Sequence, residues 1–288
     1  MQVSSDATSA RRTEDRVLLR DAVTAARLGG AVLRAMFRRQ PETRLKSGPR
    51  DLVTEADLAA ERVILDYLRE RYSHHGWISE EAGTAASEAP LVWVIDPLDG
   101  TSNFAHGFPH FCVSIALLER GRSRLGVVYD PIRRELFTAV RGGGARLGRR
   151  RLTVSAVDAL ERAMVTTGFP YEPPEQRRAA ADLTARVIER VQMLRRSGSA
   201  ALDLAYVAAG RLEAHFEFGL SLHDVAAGLL LVHEAGGRAE ELFLPGWRTG
   251  YLASNGTALH GELLALHRRY LGPVEVRPSA LTPAGRPG

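Results

Sequence analysis

The chain has 288 residues, a length that suits two lobes of ~150 residues each better than one small module. Hydrophobic residues make up 45% and charged residues 25%, the mixture of a folded globular protein, which excludes wholesale disorder, a collagen-like repeat and a coiled coil. The formal charge of +4 is too small, and the basic residues too scattered among acids, to mark a nucleic-acid surface.

In chain order, residues 1–14 are expected to be a mobile end, because they are polar and lack an apolar stripe. They also lack the apolar centre of a secretion signal, and no run reaches the ~18 apolar residues that cross a bilayer, so a cytoplasmic setting is expected. Leu18, Ala22, Ala25, Leu28, Val32 and Met36 recur at helical spacing and predict a helix over 17–37 that ends before Pro41. Lys46 is the only lysine in a chain that otherwise uses arginine, which points to a position wanting a compact charge on a thin stem. A second helix is predicted over 54–72, with Glu55 and Asp57 in its first turn and Leu58, Ile64, Leu65 and Leu68 on one face.

His74 and His75 fit an exposed turn, and Ser79-Glu80-Glu81 a loop after the apolar Trp77-Ile78. The β-prone run 91–95 is expected to stop at Asp96-Pro97, since proline cannot continue a central strand. Runs at 111–119, 125–129 and 135–140, separated by turn signals, predict an antiparallel meander. Arg141-Gly142-Gly143-Gly144 reads as a turn and Arg149-Arg150-Arg151 as a solvated hairpin end. Beyond them, helices over 177–191, 199–209 and 225–235 alternate with short strands at 164–167, 214–218 and 250–253. This gives an α+β chain with a first lobe over 15–155, a second over 156–272 and a mobile tail over 273–288.

Cys112 is the only cysteine, so internal disulfides and zinc sites built on several thiolates are excluded and catalysis falls to oxygen and nitrogen groups. The segment Asp96-Pro97-Leu98-Asp99-Gly100-Thr101-Ser102 brings two carboxylates back beside each other around a proline. Two such anions repel unless one is protonated or a hard divalent cation neutralises both. Gly100-Thr101-Ser102, at a helix start, can aim amide N–H groups at an anion. Asp57, Glu80 and Asp224 are the further acids of interest; taken singly, the first and last are helix-dipole partners and Glu80 a solvated loop acid. Other chemistries lack their motifs: two aspartates at alternate strand positions, a phosphate loop, His-Glu-x-x-His, and Gly-x-Ser-x-Gly are all missing.

In order along 17–268, the chain resembles the inositol monophosphatase family of magnesium-dependent, lithium-sensitive phosphomonoesterases. The resemblance is carried by Lys46-Ser47, Asp51-Leu52-Val53-Thr54-Glu55-Ala56-Asp57, Glu80-Glu81, the stretch from Asp96 to Phe104, Gly126-Val127-Val128-Tyr129, Thr167-Gly168-Phe169-Pro170, Gly198-Ser199-Ala200-Ala201 and Asp224-Val225-Ala226-Ala227-Gly228. It implies a layered αβαβα sandwich, a homodimer, and two or three magnesium ions held by Glu80, Asp96, the main-chain carbonyl of Leu98, Asp99 and Asp224. It further implies that Thr101 and Asp57 orient a water, with Glu80 as the third catalytic residue, and that Gly100, Thr101 and Lys46 bind the phosphate. Asp99, Gly198, Ser199, Ala200 and Glu217 then correspond to positions that contact the alcohol.

Two departures touch the substrate end: His223 stands where the family often has tryptophan, and Ser102 where threonine is common. The expected substrate is inositol 1-phosphate, the nearest rival histidinol phosphate, with fructose 1,6-bisphosphate and adenosine 3',5'-bisphosphate as further family substrates. A non-enzymatic alternative is a regulatory protein bound to RNA polymerase or the ribosome, for which Arg149-Arg150-Arg151 is the candidate basic surface.

Overall fold

The computed structural model describes residues 2–38, 43–48, 51–169 and 173–282. The chain opens with α1 (Gln2–Phe37), a hairpin of β1 (Thr43–Gly48) and β2 (Asp51–Thr54), and α2 (Glu55–Arg71). Next come β3 (Gly76–Ser79), β4 (Gly83–Ala85), β5 (Leu91–Asp99) and the short α3 (Thr101–Ala105). The meander follows as β6 (Cys112–Glu119), β7 (Arg122–Asp130), β8 (Glu135–Val140), β9 (Gly144–Leu147) and β10 (Arg150–Arg151). The second half runs β11 (Met164–Thr167), α4 (Pro174–Ile188), β12 (Met193–Arg195), α5 (Ala200–Ala208), β13 (Ala214–Phe218), α6 (Leu222–Glu234), β14 (Arg238–Phe243), β15 (Gly250–Ser254), α7 (Ala258–Leu271) and β16 (Glu275–Pro278).

Eight strands form one sheet in the order β10-β9-β8-β7-β6-β5-β3-β4, and six form another in the order β12-β11-β13-β15-β14-β16. Side chains alternate across each strand, so β5 sends Trp93 and Ile95 to one face and Val92 and Val94 to the other. The first face packs on α1 and α2 through Leu18, Ala25, Ile64 and Leu68. The second packs on α5 and α6, whose Leu204, Ala227 and Leu231 also meet Ala239 and Ala253 of the six-stranded sheet. The far face of that sheet is covered by α4 and α7, with Leu183, Val187, Leu263 and Leu266 against Val165, Phe216 and Leu252. The layers therefore read αβαβα, as expected. Because both faces of the eight-stranded sheet are covered, its central strands β5, β6 and β7 are buried along nearly their whole length, and each fully buried aliphatic side chain contributes about 2 kcal/mol. Among the described residues no helix is long and apolar enough to cross a membrane.

Both ends differ from expectation. The segment expected to be mobile over 1–14 is instead helical from Gln2, continuous with the helix expected to begin at residue 17. Its residues serve the sheet: the nearly buried Arg124 is paired with Glu14 and Asp15 at 2.7 Å each, and Arg11 reaches Glu119 at 2.7 Å. A buried guanidinium without such partners would cost several kcal/mol, so the acids of this turn have a packing role that periodicity does not register. At the other end, 275–278 pair antiparallel with β14, and Leu281 is buried, its carbonyl accepting from Ser123 N at 2.9 Å. The segment expected to be mobile over 273–288 is thus packed through Thr282, whose hydroxyl donates to the Ser279 carbonyl at 3.1 Å, and residues 283–288 lie outside the described part.

Two local expectations also change. β5 does not stop at Asp96-Pro97 but runs to Asp99: Asp96 pairs with Ser114 and Asp99 with Cys112, so one extra residue is bulged out around the proline. His75 is buried rather than exposed; it stacks on Tyr72 at 4.8 Å, and burial pushes its imidazole down to about 4.

Candidate active site

The carboxylates meet at the carboxyl ends of β3 and β5. These strands are parallel with Ser79 opposite Ile95, which sets Glu80, the next residue, beside Asp96. The bulge around Pro97 then turns the chain so that Asp96 and Asp99 serve the same space. Asp224 arrives from the second half of the chain, in the first turn of α6, with its Oδ2 taking the Ser221 N–H at 2.5 Å. Ligand atoms of Asp96, Asp99 and Asp224 lie within 4.8 Å of one another, as do those of Glu80, Asp96 and His223. Asp96 belongs to both groups.

Each acid is held by neighbours that fix its orientation. Leu98 N donates to Asp96 Oδ1 at 3.0 Å. Ser199 Oγ and Ala201 N donate to Asp99 Oδ2 at 2.6 and 2.7 Å, which binds the start of α5 to the bulge. Gly100 sits at φ 103°, and a Cβ there would meet the carbonyl of His110 at 3.0 Å, so the tight exit from the bulge requires glycine. Thr101 opens α3; its hydroxyl lies 3.0 Å from Asp57 Oδ1 and 3.1 Å from the Leu98 carbonyl. Asp57 reaches this point from α2, fully buried. Asn103 Nδ2 donates to the carbonyls of His110 and Ser197 at 2.7 and 2.8 Å, tying the loop that carries Gly198 to the same corner.

The electrostatics are those of crowded anions. Burial first, and then the charges of Glu80, Asp99 and Asp224, raise the Asp96 carboxyl well above the usual carboxylate range. Burial and the charge of Asp224 raise Asp99 too, although the Ser199 and Ala201 donors oppose the shift. Acids arranged this way are poor neighbours for one another and good ligands for a hard cation. The three carboxylates of Asp96, Asp99 and Asp224 suit a hard divalent cation, which favours oxygen donors.

The residues expected to contact the alcohol lie on β13 and around the start of α5. Glu217, on β13, is raised well above its ordinary range by burial, an effect that the nearby Arg196 reduces. It approaches the backbone of Gly168 so closely that a Cβ on that residue would lie 2.0 Å from its carboxyl group. Ser199 is buried and Ala200 is the first residue of α5. Lys46 lies in β1, but its side chain is outside the described part. Of the other expected site residues, Glu80, Asp96, Asp99 and Asp224 are brought together, Thr101 joins Asp57 to the Leu98 carbonyl, and Ser199 is bonded to Asp99, with Gly100, Gly198 and Ala200 next to these in the chain.

Two supporting acids escaped the sequence reading. Glu61, on α2, accepts from Ser79 Oγ and from the amides of Glu81 and Ala82, the latter two at 3.0 Å, so it clamps the turn that carries Glu80. Its spacing of four from Asp57 was the available signal, since it sets both acids on one helix face. Asp203 accepts from Ser197 Oγ at 2.5 Å and steadies the loop before Ser199.

Residues 14–271 match the model of the inositol monophosphatase family. The Nus factor SuhB of Pasteurella multocida is 46% identical over 223 residues, covering 76% of this chain and 83% of that protein. The crystal structure of the extragenic suppressor protein SuhB from Bartonella henselae superposes with a TM-score of 0.80 at 37% identity, covering 87% of this chain and 98% of that one. The inositol monophosphatase of Anabaena superposes with a TM-score of 0.77 at 36% identity, covering 88% and 96%. With its layered fold and its carboxylate cluster, this chain belongs to the inositol monophosphatase family.

Proposed function

We propose that the chain is a magnesium-dependent phosphomonoesterase acting on a small polyol phosphate, inositol 1-phosphate first. The observation that carries this reading is the convergence of Glu80, Asp96, Asp99 and Asp224, from three separate stretches of chain, beside the hydrogen-bonded pair of Thr101 and Asp57. Those four acids and the Leu98 carbonyl would hold the cations. Bound there, divalent ions supply Lewis-acid neutralisation of the phosphate and activation of a water.

The remaining roles belong to the chain itself. With its proton directed to Asp57, the Thr101 hydroxyl is left as an acceptor that holds one O–H of the attacking water and so aims a lone pair at phosphorus. The amides of Gly100 and Thr101 would face the phosphate oxygens and Lys46 would add a positive charge. Burial disfavours the Glu217 anion and raises its carboxyl well above the ordinary range, which suits it to hydrogen-bond a hydroxyl of the polyol, with Ser199 and Ala200 alongside. The Anabaena relative, an inositol monophosphatase by name, supports inositol phosphate over histidinol phosphate. Lithium would inhibit, since a monovalent ion in a divalent site leaves too little charge to release phosphate. A homodimer is part of the same reading.

A panel of inositol 1-phosphate, histidinol phosphate, fructose 1,6-bisphosphate and adenosine 3',5'-bisphosphate, assayed for phosphate release with magnesium and with added lithium, tests it. The reading requires inositol 1-phosphate to give the highest kcat/KM and lithium to lower it; equal slow turnover of all four would overturn it. The names of the SuhB relatives, Nus factors, favour a second reading in which the chain binds the transcription apparatus. An Asp96→Asn chain that loses hydrolysis but keeps its cellular phenotype would favour that role over the enzymatic one.

A further inference from the structure

We infer that His223 makes one of the two cation positions a mixed nitrogen–oxygen site, which takes a first-row transition ion in preference to magnesium. The inference rests on the reading above, in which these carboxylates hold cations. His223 and Asp224 are consecutive in the first turn of α6, yet they serve different groups: His223 joins Glu80 and Asp96, whereas Asp224 joins Asp96 and Asp99. The start of one helix thereby contributes a donor to each of two positions that share Asp96.

The geometry is close to that of a ligand set. Donors around one such ion stand at most ~4.2 Å apart, twice a bond of about 2.1 Å, and these donor atoms lie within 4.8 Å of one another. A few tenths of an ångström of side-chain adjustment closes the difference. The imidazole is half-buried, its Nε2 3.7 Å from Asp224 Oδ1, and its backbone is held by Ser114 Oγ donating to the His223 carbonyl at 3.3 Å. Imidazole nitrogen suits zinc, iron, nickel and the cobalt that lies between the last two in affinity order, while magnesium favours oxygen. The Asp96–Asp99–Asp224 position, with oxygen donors only, keeps the magnesium preference.

The test is binding of Co2+ and of Mg2+ by equilibrium dialysis, with pulsed electron spin resonance of bound Mn2+ to detect a coupled nitrogen, on the full chain and on His223→Gln and His223→Trp. The wild type is expected to show the nitrogen signal, and both variants to lose it together with at least about tenfold in Co2+ affinity, the scale on which even outer-shell partners count. Their Mg2+ affinity is expected to be unchanged. A wild type without nitrogen coupling, or variants that bind Co2+ as tightly as the wild type, would overturn the inference. Phosphate release from inositol 1-phosphate is followed in parallel with Mg2+. Hydrolysis without nitrogen coupling removes this inference alone, whereas nitrogen coupling without hydrolysis removes the proposed function and leaves the site.

Discussion

Replacing Glu61 tests whether the site depends on acids that do not themselves reach the cation. Glu61 is buried and accepts three hydrogen bonds, from the buried Ser79 hydroxyl and the part-buried amides of Glu81 and Ala82. In Glu61→Ala the Ser79 hydroxyl loses its acceptor at a cost of about 2 kcal/mol, while each amide can turn partly to water at about 0.5–1 kcal/mol. The expected loss is about 3–4 kcal/mol. Glu61→Gln keeps a carbonyl oxygen in the same place and gives up only the charge on the acceptor, so its loss is about 1 kcal/mol. Urea unfolding in the presence of a chelator reads both values. Since the same turn carries Glu80, the alanine variant is also expected to need more Mg2+ for half-maximal phosphate release than the glutamine variant. A loss below about 1 kcal/mol for alanine, with an unchanged Mg2+ dependence, would refute the reasoning.

Asp96→Asn removes one of four crowded anions, so in chelator it is expected to be more stable than the wild type while releasing no phosphate; a less stable variant would mean that the acids do not repel as described. Gly168→Ala puts a Cβ 2.0 Å from the Glu217 carboxyl group and must displace it, so KM is expected to rise with near-UV and far-UV circular dichroism unchanged. An unaltered KM would detach Glu217 from substrate binding. Far from the site, burial pushes His267 down to about 4, with its Nδ1 2.7 Å from the Leu263 carbonyl. The unfolded chain takes up that proton below about 6.5 and the folded chain does not, so stability is present above pH 6.5 and is lost as pH falls toward 4. Comparing urea unfolding of wild type and His267→Leu, the wild type should lose about 1.6 kcal/mol more between pH 6.5 and 5; parallel pH profiles would contradict this.

How far the sequence could be read follows from the range of the interactions involved. Three helices of the second half, α4 to α6, and the meander strands were legible because their apolar periods are local, and β11, β8 and β13 fall on the expected 164–167, 135–140 and 214–218, whereas α7 (Ala258–Leu271) was not expected. Asp96 and Asp99 stood out because the stretch from Asp96 to Phe104 combines a proline bend, paired acids and a glycine exit in a few residues, whereas Asp57, Glu80 and Asp224, unremarkable singly, were joined to them by the family resemblance. Partners remote in the chain decided what was missed. The role of Glu14 and Asp15 depends on Arg124, which lies about a hundred residues away and needs acids only because the sheet buries it. β16 is set by backbone pairing with β14, which its composition does not advertise. Strand β5 passes Pro97 because a bulge absorbs the missing N–H, an accommodation that a rule about proline in strands does not include. His223 drew notice only as a departure at the substrate end, and its nearness to Glu80 and Asp96 becomes visible once α6 is docked.

The central claim is that acids from separate parts of the chain form a cation site that requires a divalent ion at neutral pH. Anomalous diffraction from crystals soaked in Mn2+ measures this directly. The account predicts two peaks that share Asp96 as a ligand, one completed by Asp99 and Asp224 and the other by Glu80 and His223. Crystals soaked to saturation that show no anomalous peak among these carboxylates would contradict it.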